Sequence, residues 1–555
     1  MKKSRLMLVL SSAALLLAAC GNGGNETASS ETTVESTATE TTEEVAEGQD
    51  VDGRYTLDPE TPAWQLDTKE EITELTWYVN ADWWNDSWGE DTVTRQMEED
   101  LNVRINFIKG DDTNLNTMFS SGDMADIVTI FDANSQVAQR AATWAYPLDE
   151  LANQYDPYWH EVAAEDTVNW FQLDDGKTYG YPNYSNTAAD YESGLIPSNT
   201  NFLIRQDVYE ALGEPEFGTY EEFRASMQAI SDEFPDLIPF GFNAFGDGTG
   251  SLGDVFQDFI GVPLEDEDGG FYNRNLDEEY LRWIETFNQV HQDGNINDDS
   301  FADDGTAFEE KVQTGQYATI MASGTAQMSG FLQDWMSFNP EGQYIGIDGP
   351  QSSLGNEPTL NQSGISGWMI NFISQEAEDP AKAIQIFTYL QSEYGGILTN
   401  FGIEGETFQY DAEGAIELLP EVQEVKDNDS ERYKTEYRLS EFIFFGHDKY
   451  QAYASESTQT PSLIQPREWG LGKLYPHFVL ENISPDQGTP EARNLTAIDK
   501  QWPTNLVGMI RATSDDVFEQ QLAEYQSFLD ENGWEAIVQV RSEKMAENRE
   551  RLGLE

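Results

Sequence analysis

The chain has 555 residues and a formal net charge of −72, from 102 acidic and 30 basic side chains. This length exceeds the usual ~100–200 residues of one domain and predicts at least two. The first 60 residues hold only 11 of the acids and 4 of the bases, which leaves residues 61–555 at −65. Such a surface repels phosphate backbones and argues against a nucleic-acid binder, and 39% hydrophobic residues exclude disorder of the whole chain.

The N-terminus has the parts of an export signal. Three basic residues among the first five precede an apolar run over 6–19, and Cys20, the only cysteine, follows. A run of this length is too short for an ordinary spanning helix. Leu17-Ala-Ala-Cys20 resembles the lipobox of bacterial lipoproteins, in which the cysteine is lipidated, for example with palmitate, and becomes residue one of the mature protein. We therefore predict a signal peptide over 1–20 and lipidation at Cys20; a plain secretory signal is the alternative.

Residues 21–63 are rich in Gly, Ser, Thr and Glu, and Arg54 is their only base. This composition offers little apolar surface to offset the entropy of ordering, so it predicts a flexible acidic tether. The apolar pattern then predicts a strand near Leu75, a helix over 90–101, a strand from Val103, a short helix, and a buried strand over 126–130. Alternating strands and helices are typical of a parallel, doubly wound α/β sheet.

Later helices have clear start signals. Thr219-Tyr-Glu-Glu222 has the spacing of a capping box, and Asp277 and Asp379-Pro380 each begin an amphipathic pattern. We expect Gly395 and Gly396 to end the helix that begins at Pro380, because glycine is common just beyond a helix end. Two further helices are predicted from Ser514 onward and over 534–552.

Several strings together resemble the family 1 extracellular solute-binding proteins of carbohydrate ABC importers. They follow the family order, and the last two are similar to its large-lipoprotein branch, which includes alginate-binding members. The strings are Ser121-Gly-Asp-Met-Ala-Asp-Ile-Val128, Tyr146-Pro-Leu-Asp-Glu-Leu151, Asp175-Gly-Lys-Thr-Tyr-Gly-Tyr-Pro182, Leu203 to Gly213, Phe308 to Gly315, Ala381 to Glu404, and Asn548 to Gly553. No match is found over 425–500.

The resemblance implies a periplasmic-binding-protein-like fold of two α/β lobes, joined by two or three crossovers, with the ligand in the cleft between them. Lobe 1 is expected to comprise 64–182 plus 362–425, and lobe 2 to comprise 183–361 plus 426–555. It also implies a monomeric, lipid-anchored receptor at the extracytoplasmic face of the cell membrane. Its partners would be a carbohydrate and the ABC permease subunits, with no catalysis and no cofactor.

Aromatic residues give the candidate site. The first strand leads into a stretch in which three tryptophans alternate with Asp and Asn, and sugar rings stack on indoles while their hydroxyls need such polar partners. Residues at the expected crossovers and the end of one family string are added to these. The candidate ligand-binding residues are Trp83, Trp84, Trp88, Asp82, Asn183, Tyr184, Trp368 and Glu404; Trp335, Tyr410 and Trp469 are weaker candidates. The alternative for any one tryptophan is a place in the core.

Other chemistry is less well supported. The four histidines do not have the spacing of a zinc site, and the chain has neither a P-loop nor a G-x-S-x-G elbow. A glycan-active hydrolase remains the alternative function, because it too would have a Trp-lined cleft, and a sugar-sensing subunit is a third. Oxygen-bearing residues alternate as in a calcium loop at Asp293, Asn295, Asn297 and Asp299, but the glycine of an EF-hand is missing, so an Asx-rich turn is the alternative. Because the body carries −65 and three tryptophans favour pyranose faces, we expect a neutral oligosaccharide.

Overall fold

A computed structural model of the chain describes residues 48–133, 135–246, 248–360 and 364–554. The predicted signal peptide, Cys20 and residues 21–47 of the predicted tether lie outside the described residues. Within the described ranges, none of the helices is both long enough and apolar enough to span a bilayer.

The first large sheet is built on the predicted strand–helix–strand–helix–strand unit. Its strands lie in the spatial order Val103–Lys109, Thr73–Val79, Ile127–Ile130, Ile370–Ile373 and Gly180–Pro182. The first three are parallel, and helices connect them, so this prediction is confirmed. The strand Ile370–Ile373 is antiparallel to both of its neighbours, and it joins this sheet after the chain has formed the second one.

The second large sheet is mixed and has the order Tyr344–Ile347, Thr200–Arg205, Tyr317–Ser323 and Ile238–Phe242. Only its last two strands are parallel. Each large sheet has its own hydrophobic core: Trp77 and Trp159 lie in the first, and Phe223 and Trp283 in the second. The predicted α/β class is therefore confirmed, while the arrangement as two closing lobes stays a prediction.

Helices surround both sheets. The longer ones are Thr92–Leu101, Asp112–Ser121, Leu148–Tyr155, Tyr220–Glu233, Glu278–Gln292, Gly305–Gln313, Ser329–Phe338, Pro380–Gln391, Glu393–Phe401, Pro420–Asn428, Pro461–Gly470, Pro490–Ile510, Asp515–Glu531 and Trp534–Arg551. Shorter ones are Ala63–Leu66, Gln136–Gln139, Trp159–Val162, Glu165–Trp170, Ala188–Glu192, Gln206–Ala211, Asp254–Phe259 and Ser430–Arg432. A second small hairpin pairs Phe408–Tyr410 with Ile416–Leu418.

The predicted helix starts are confirmed. Thr219 and Glu222 form the reciprocal bonds of a capping box, and Asp277 and Asp379 cap their helices with side-chain oxygens. The predicted end at Gly395 and Gly396 is wrong, because the helix stops at Gln391 and both glycines lie inside the next one. These glycines allow close packing: a Cβ on Gly396 would lie 1.9 Å from the Tyr450 ring.

The predicted tether is shorter than expected, because residues 48–57 fold against the first core. The strands Asp50–Val51 and Tyr55–Thr56 form a hairpin, and Val51, Tyr55 and Leu57 are buried with Ala63. We call residues 48–57 the N-terminal hairpin. The few apolar residues of this acidic stretch are enough to order it because they pack against Tyr155 at the first core and need not form a large core of their own.

Arg54 fixes the N-terminal hairpin through charge. Its guanidinium pairs with Asp67 at 2.5 Å and with Asp379 at 2.9 Å, and Lys382 and Lys69 complete the network. Burial alone would raise the pKa of Asp67, but Arg54 and Lys382 outweigh it and hold that pKa well below its usual range. Each carboxylate of this network is thus paired with basic side chains.

The predicted lobe boundary at residue 425 does not match the packing. Leu439, Phe442, Phe444 and Phe445 belong to the core of the first sheet, although 426–555 was assigned to lobe 2. Phe444 stacks on Trp77 at 4.0 Å between ring centroids, which places this segment directly under the first sheet. The segment carries no regular pattern that would have linked it to either core.

Candidate functional site

A cavity of about 480 Å³ lies where elements of both sheets meet residues 440–474, which belong to neither sheet. Three stretches of chain line it: residues around the end of the first sheet, residues around one end of the second sheet, and residues 440–474. The lining residues are Tyr184, Ile196, Pro197, Ser198, Asn199, Asn201, Thr325, Ala326, Gln327, Trp368, Ser440, Ile443, Asp448, Gln451, Leu463, Pro466, Arg467 and Leu474.

The register of the first sheet explains why distant residues meet at the cavity. Val79 pairs with Thr129, Ile130 with Ile370, and Ile370 with Pro182. Residues that follow strands Thr73–Val79, Ile127–Ile130 and Gly180–Pro182, and those that precede Ile370–Ile373, therefore share one edge of the sheet. Ligands of open α/β sheets bind at such edges.

Four aromatic side chains form a row along this edge, which we call the aromatic row: Trp83, Phe131, Trp368 and Tyr184. Neighbouring ring centroids are 6.0, 5.5 and 6.4 Å apart along it. The rings of Tyr184 and Trp368 are within 16° of parallel, and both line the cavity. Trp83 and Trp368 keep 63% and 42% of their surface exposed, so the row is open to solvent at these two positions and is not part of the core.

The second sheet contributes amides held in fixed orientations. Asn199 accepts from the Ala326 backbone N–H at 2.7 Å and donates to Gln327 at 2.9 Å. Asn201 accepts from the Thr325 hydroxyl at 2.7 Å and donates to the Pro466 carbonyl at 3.1 Å. Side chains that are already oriented lose little entropy when they bind hydroxyl groups.

Residues 440–474 bring one acid and one base to the cavity. Asp448 accepts hydrogen bonds from Asn186 at 2.8 Å and from Gln451 at 3.1 Å, and Arg467 donates to Gln451. Burial lowers the pKa of Arg467, and the Asp448 charge opposes that shift. Burial also raises the pKa of Tyr184, with a contribution from Asp448, so its phenol stays neutral. The charges of Asp448 and Arg467 balance.

The predicted tryptophans have different environments. Trp83 belongs to the aromatic row, whereas Trp84 is 3% exposed and packs on Phe444 at 4.6 Å. Trp88 is partly buried and donates its indole N–H to Glu98 at 3.0 Å. The alternative of a place in the core therefore applies to Trp84 and, in part, to Trp88.

The other candidate residues lie at different places in the structure. Asn183 is buried beneath the cavity, where it donates to the Ile443 carbonyl at 3.0 Å and accepts from the Met369 N–H at 3.0 Å. Asp82 and Glu404 are exposed and do not line the cavity. Trp335 is buried in the second half of the fold, Tyr410 lies on the hairpin Phe408–Tyr410, and Trp469 stacks on Phe259.

Two of the four candidate calcium residues already contact other side chains. Asp293 pairs with Arg224 at 2.5 Å, and Asn295 donates to Gln228 at 3.2 Å, while Asn297 and Asp299 are exposed. Among the described residues, the structure brings no three His, Cys, Asp or Glu side chains together as a metal site. The prediction of no cofactor is not tested by this arrangement, and calcium stays the weaker alternative to an Asx-rich turn.

Sequence reasoning missed the lining residues from the second sheet and from 440–474. Asn199 precedes the strand Thr200–Arg205 and Asn201 lies within it. The nearest sequence signal is the family string that begins at Leu203, and it does not mark either residue as facing a cavity. Residues 440–474 have no periodicity; their one signal is a density of aromatic and amide residues beyond residue 440.

Comparisons with known proteins agree with this fold. No family model matches the sequence. The lipoprotein LipO of Bacillus subtilis (strain 168) is 23% identical over 224 residues, which make up 37% of this chain and 43% of LipO. The match thus spans less than half of that curated relative.

Solved structures match more of the chain. The ABC-transporter substrate-binding protein FusA of S. pneumoniae, in complex with kestose, has a TM-score of 0.60 at 14% identity, covering 86% of this chain and 99% of FusA. An HMO-binding solute-binding protein associated with an ABC transporter, from Bifidobacterium longum infantis ATCC 15697, has a TM-score of 0.62 at 15% identity with the same coverage. The chain has the fold of ABC-transporter substrate-binding proteins, and the predicted resemblance is confirmed at the level of the fold.

Proposed function

We propose that this protein is a lipid-anchored extracytoplasmic receptor that captures a neutral oligosaccharide and delivers it to an ABC importer. The observation that carries the proposal is the aromatic row, which runs from the cavity out to Trp83. Successive rings can stack against successive sugar faces, so a ligand longer than one sugar would gain contacts along the row. The structural neighbours that bind kestose and HMO support a sugar ligand.

The polar groups of the cavity support a neutral ligand. Amides of Asn199, Asn201, Gln327 and Gln451 can both donate to and accept from hydroxyl groups, whereas the opposite charges of Asp448 and Arg467 balance. A uronate chain would also approach against the field of a body at −65. The polar groups of the cavity and the negative electrostatic field of the body both favour a neutral ligand.

The cavity gives less support to a glycoside hydrolase. Such enzymes need two carboxyl groups facing one glycosidic bond. Asp448 is the one carboxylate among the described lining residues, so these residues offer no second carboxyl group to complete such a pair. Binding without cleavage is therefore the function we propose.

The test is a calorimetric panel with the full mature protein. Malto-, cello- and fructo-oligosaccharides from one to six units would be compared with uronate oligomers of the same lengths. We expect binding to at least one neutral series, with affinity rising with chain length, and no release of products. Tight binding of uronates alone would overturn the neutral ligand, and hydrolysis of a panel member would favour the enzyme.

The anchor has its own test. We expect Cys20→Ser to move the protein from the membrane fraction to the medium or to leave the signal uncleaved, because Cys20 is the only thiol available for lipidation. Fractionation and mass spectrometry of the N-terminus measure both. Wild-type protein found in the medium with an unmodified N-terminus would contradict lipid anchoring.

A further inference from the structure

Arg438 is a buried arginine at the base of the candidate site. Its side chain is 1% exposed, and its guanidinium lies over the rings of Trp84, Phe107 and Phe442 at 5.4, 5.8 and 5.1 Å. An arginine is costly to bury unless its donors and its charge are matched. The partners of its N–H donors and of its charge therefore show what the side chain does.

The guanidinium is bound almost entirely to one loop, residues 80–91, which we call the Trp83 loop. It donates to the Asn85 carbonyl at 2.5 Å and to the Ser87 carbonyl at 2.9 Å, and it lies 3.4 Å from the carboxylate of Asp91. Asp91 is fully buried and caps the helix that follows the loop. One side chain thus holds both the middle and the end of the loop that carries Trp83.

The backbone at Arg438 is strained. Residues Tyr433–Tyr437 form a π-helix, and both Arg438 and Ser440 have positive φ, at 59° and 61°. Such conformations cost about 1–3 kcal/mol each and persist where surrounding contacts impose them. π-helical turns are rare and are frequent at functional sites. The strain lies next to the cavity, because Ser440 and Ile443 line it.

We propose that Arg438 is a positioning residue that fixes the Trp83 loop relative to the wall of the cavity. It joins the outer end of the aromatic row to the segment that begins the 440–474 lining. The part of the site that reads ligand length would then depend on Arg438, although this side chain does not reach the cavity. The inference rests on the proposed function.

The test uses a double-mutant cycle with Trp83. The probes are the neutral hexasaccharide that binds best in the panel and the disaccharide of the same series. We expect Arg438→Gln to weaken hexasaccharide binding about tenfold, as loss of one apolar contact would, and to change disaccharide binding less than about twofold. Trp83→Ala should have the same pattern, and the double variant should be no weaker than either single variant.

Two further variants separate positioning from general destabilisation. Arg438→Lys keeps the charge over the rings and can still donate to one carbonyl, so it should recover part of the hexasaccharide affinity. Arg205→Gln is the matched control: Arg205 is also buried, lies 4.7 Å from the Trp335 ring and donates to the Gly315 carbonyl. It should lower the melting temperature without changing the length preference.

Equal losses for both ligands, or additive losses in the double variant, would overturn the inference. Hydrogen exchange of the free protein gives a readout that needs no sugar. Arg438→Gln should speed exchange in residues 80–91 and leave residues 199–201 unchanged. If no panel member binds, the proposed function fails, but hydrogen exchange still tests the role of Arg438. Unchanged protection of the Trp83 loop in Arg438→Gln would show that Arg438 does not position it.

Discussion

Trp83 and Trp84 are adjacent in the chain and have opposite environments. The first is 63% exposed in the aromatic row, and the second is 3% exposed in the first core. The strand ends at Val79, and the two tryptophans of the loop beyond it have different surroundings: Trp83 contacts Phe131, and Trp84 packs on Phe444. The difference can be measured residue by residue.

We expect Trp83→Ala to weaken oligosaccharide binding by about 1–3 kcal/mol while leaving the free energy of unfolding nearly unchanged. Trp84→Ala should instead lower the free energy of unfolding by about 3–5 kcal/mol, because it leaves a cavity in the core. Calorimetry and urea denaturation of the two variants measure both quantities. Full affinity in Trp83→Ala would contradict the role of the aromatic row.

Glu481 links stability to pH at the crossover that carries Trp368. Its carboxylate accepts from the Ser366 N–H at 3.2 Å and packs against Gly364. Burial raises the pKa of Glu481 from 4.5 to about 7. The folded state therefore keeps a proton that the unfolded state loses, so this contribution is complete below pH 4.5 and is lost as the pH rises to about 7.

Over that window the loss is about 3 kcal/mol, at about 1.4 kcal/mol for each unit of pKa difference. We expect Glu481→Gln to remove this loss, so that the variant is more stable than the wild type at pH 8. Denaturation at pH 5, 6.5 and 8 measures the difference. Glu421→Gln, at an exposed position, serves as the control. Parallel pH profiles for wild type and Glu481→Gln would rule out the linkage.

At the scale of elements, Arg54 supplies the ion pairs that tie the N-terminal hairpin to the first half of the fold. Arg54→Ala leaves lysines as the only charged partners of Asp67 and Asp379 among the described residues. We expect a loss of about 2 kcal/mol, as for a hydrogen bond to a buried charged group, and faster proteolysis between residues 48 and 66. Arg432→Ala removes the exposed pair with Glu436, which solvent screens, and should leave the free energy of unfolding nearly unchanged. Similar losses in the two variants would show that the network does not hold the hairpin.

The elements that the sequence predicted well are those with local signals. The strands and helices from Thr73 to Ile130 follow from apolar periodicity, and the start at Thr219 follows from its capping box. Gly395 and Gly396 do not end the helix but allow close packing, Gly395 against the Tyr389 carbonyl of the preceding helix and Gly396 against the ring of Tyr450. The contact with Tyr450 is not visible in the local sequence.

Within the site, Tyr184 and Trp368 could be predicted because they flank crossovers. The polar lining residues from 440–474 could not be predicted in the same way. Asp448 and Gln451 lie in the short 3-10 helix Asp448–Tyr453, and Arg467 lies in the helix Pro461–Gly470. The orientation of Asp448 depends on Asn186, 262 positions away in the chain. A pattern within a short window contains no information on such pairs.

At the scale of the whole molecule, like charges repel. A body at −65 is destabilised by its own field, and chloride salts screen that field, with a Debye length of about 30 Å at 0.01 M and about 10 Å at 0.1 M. We therefore expect the melting temperature to rise as NaCl increases over this range. Calorimetry measures it; sulfate is avoided because it also strengthens apolar burial. A falling melting temperature would show that the ion pairs outweigh the repulsion.

Both large sheets are complete at Ile373, yet much of the cavity wall comes from residues 440–474. These residues belong to neither sheet, but Phe442, Phe444 and Phe445 lie in the core of the first sheet. Gln465 bonds the backbone of Gly346 in an edge strand of the second. One stretch of chain therefore carries core packing and cavity lining together, and a substitution there spares the fold only where the side chain faces the cavity.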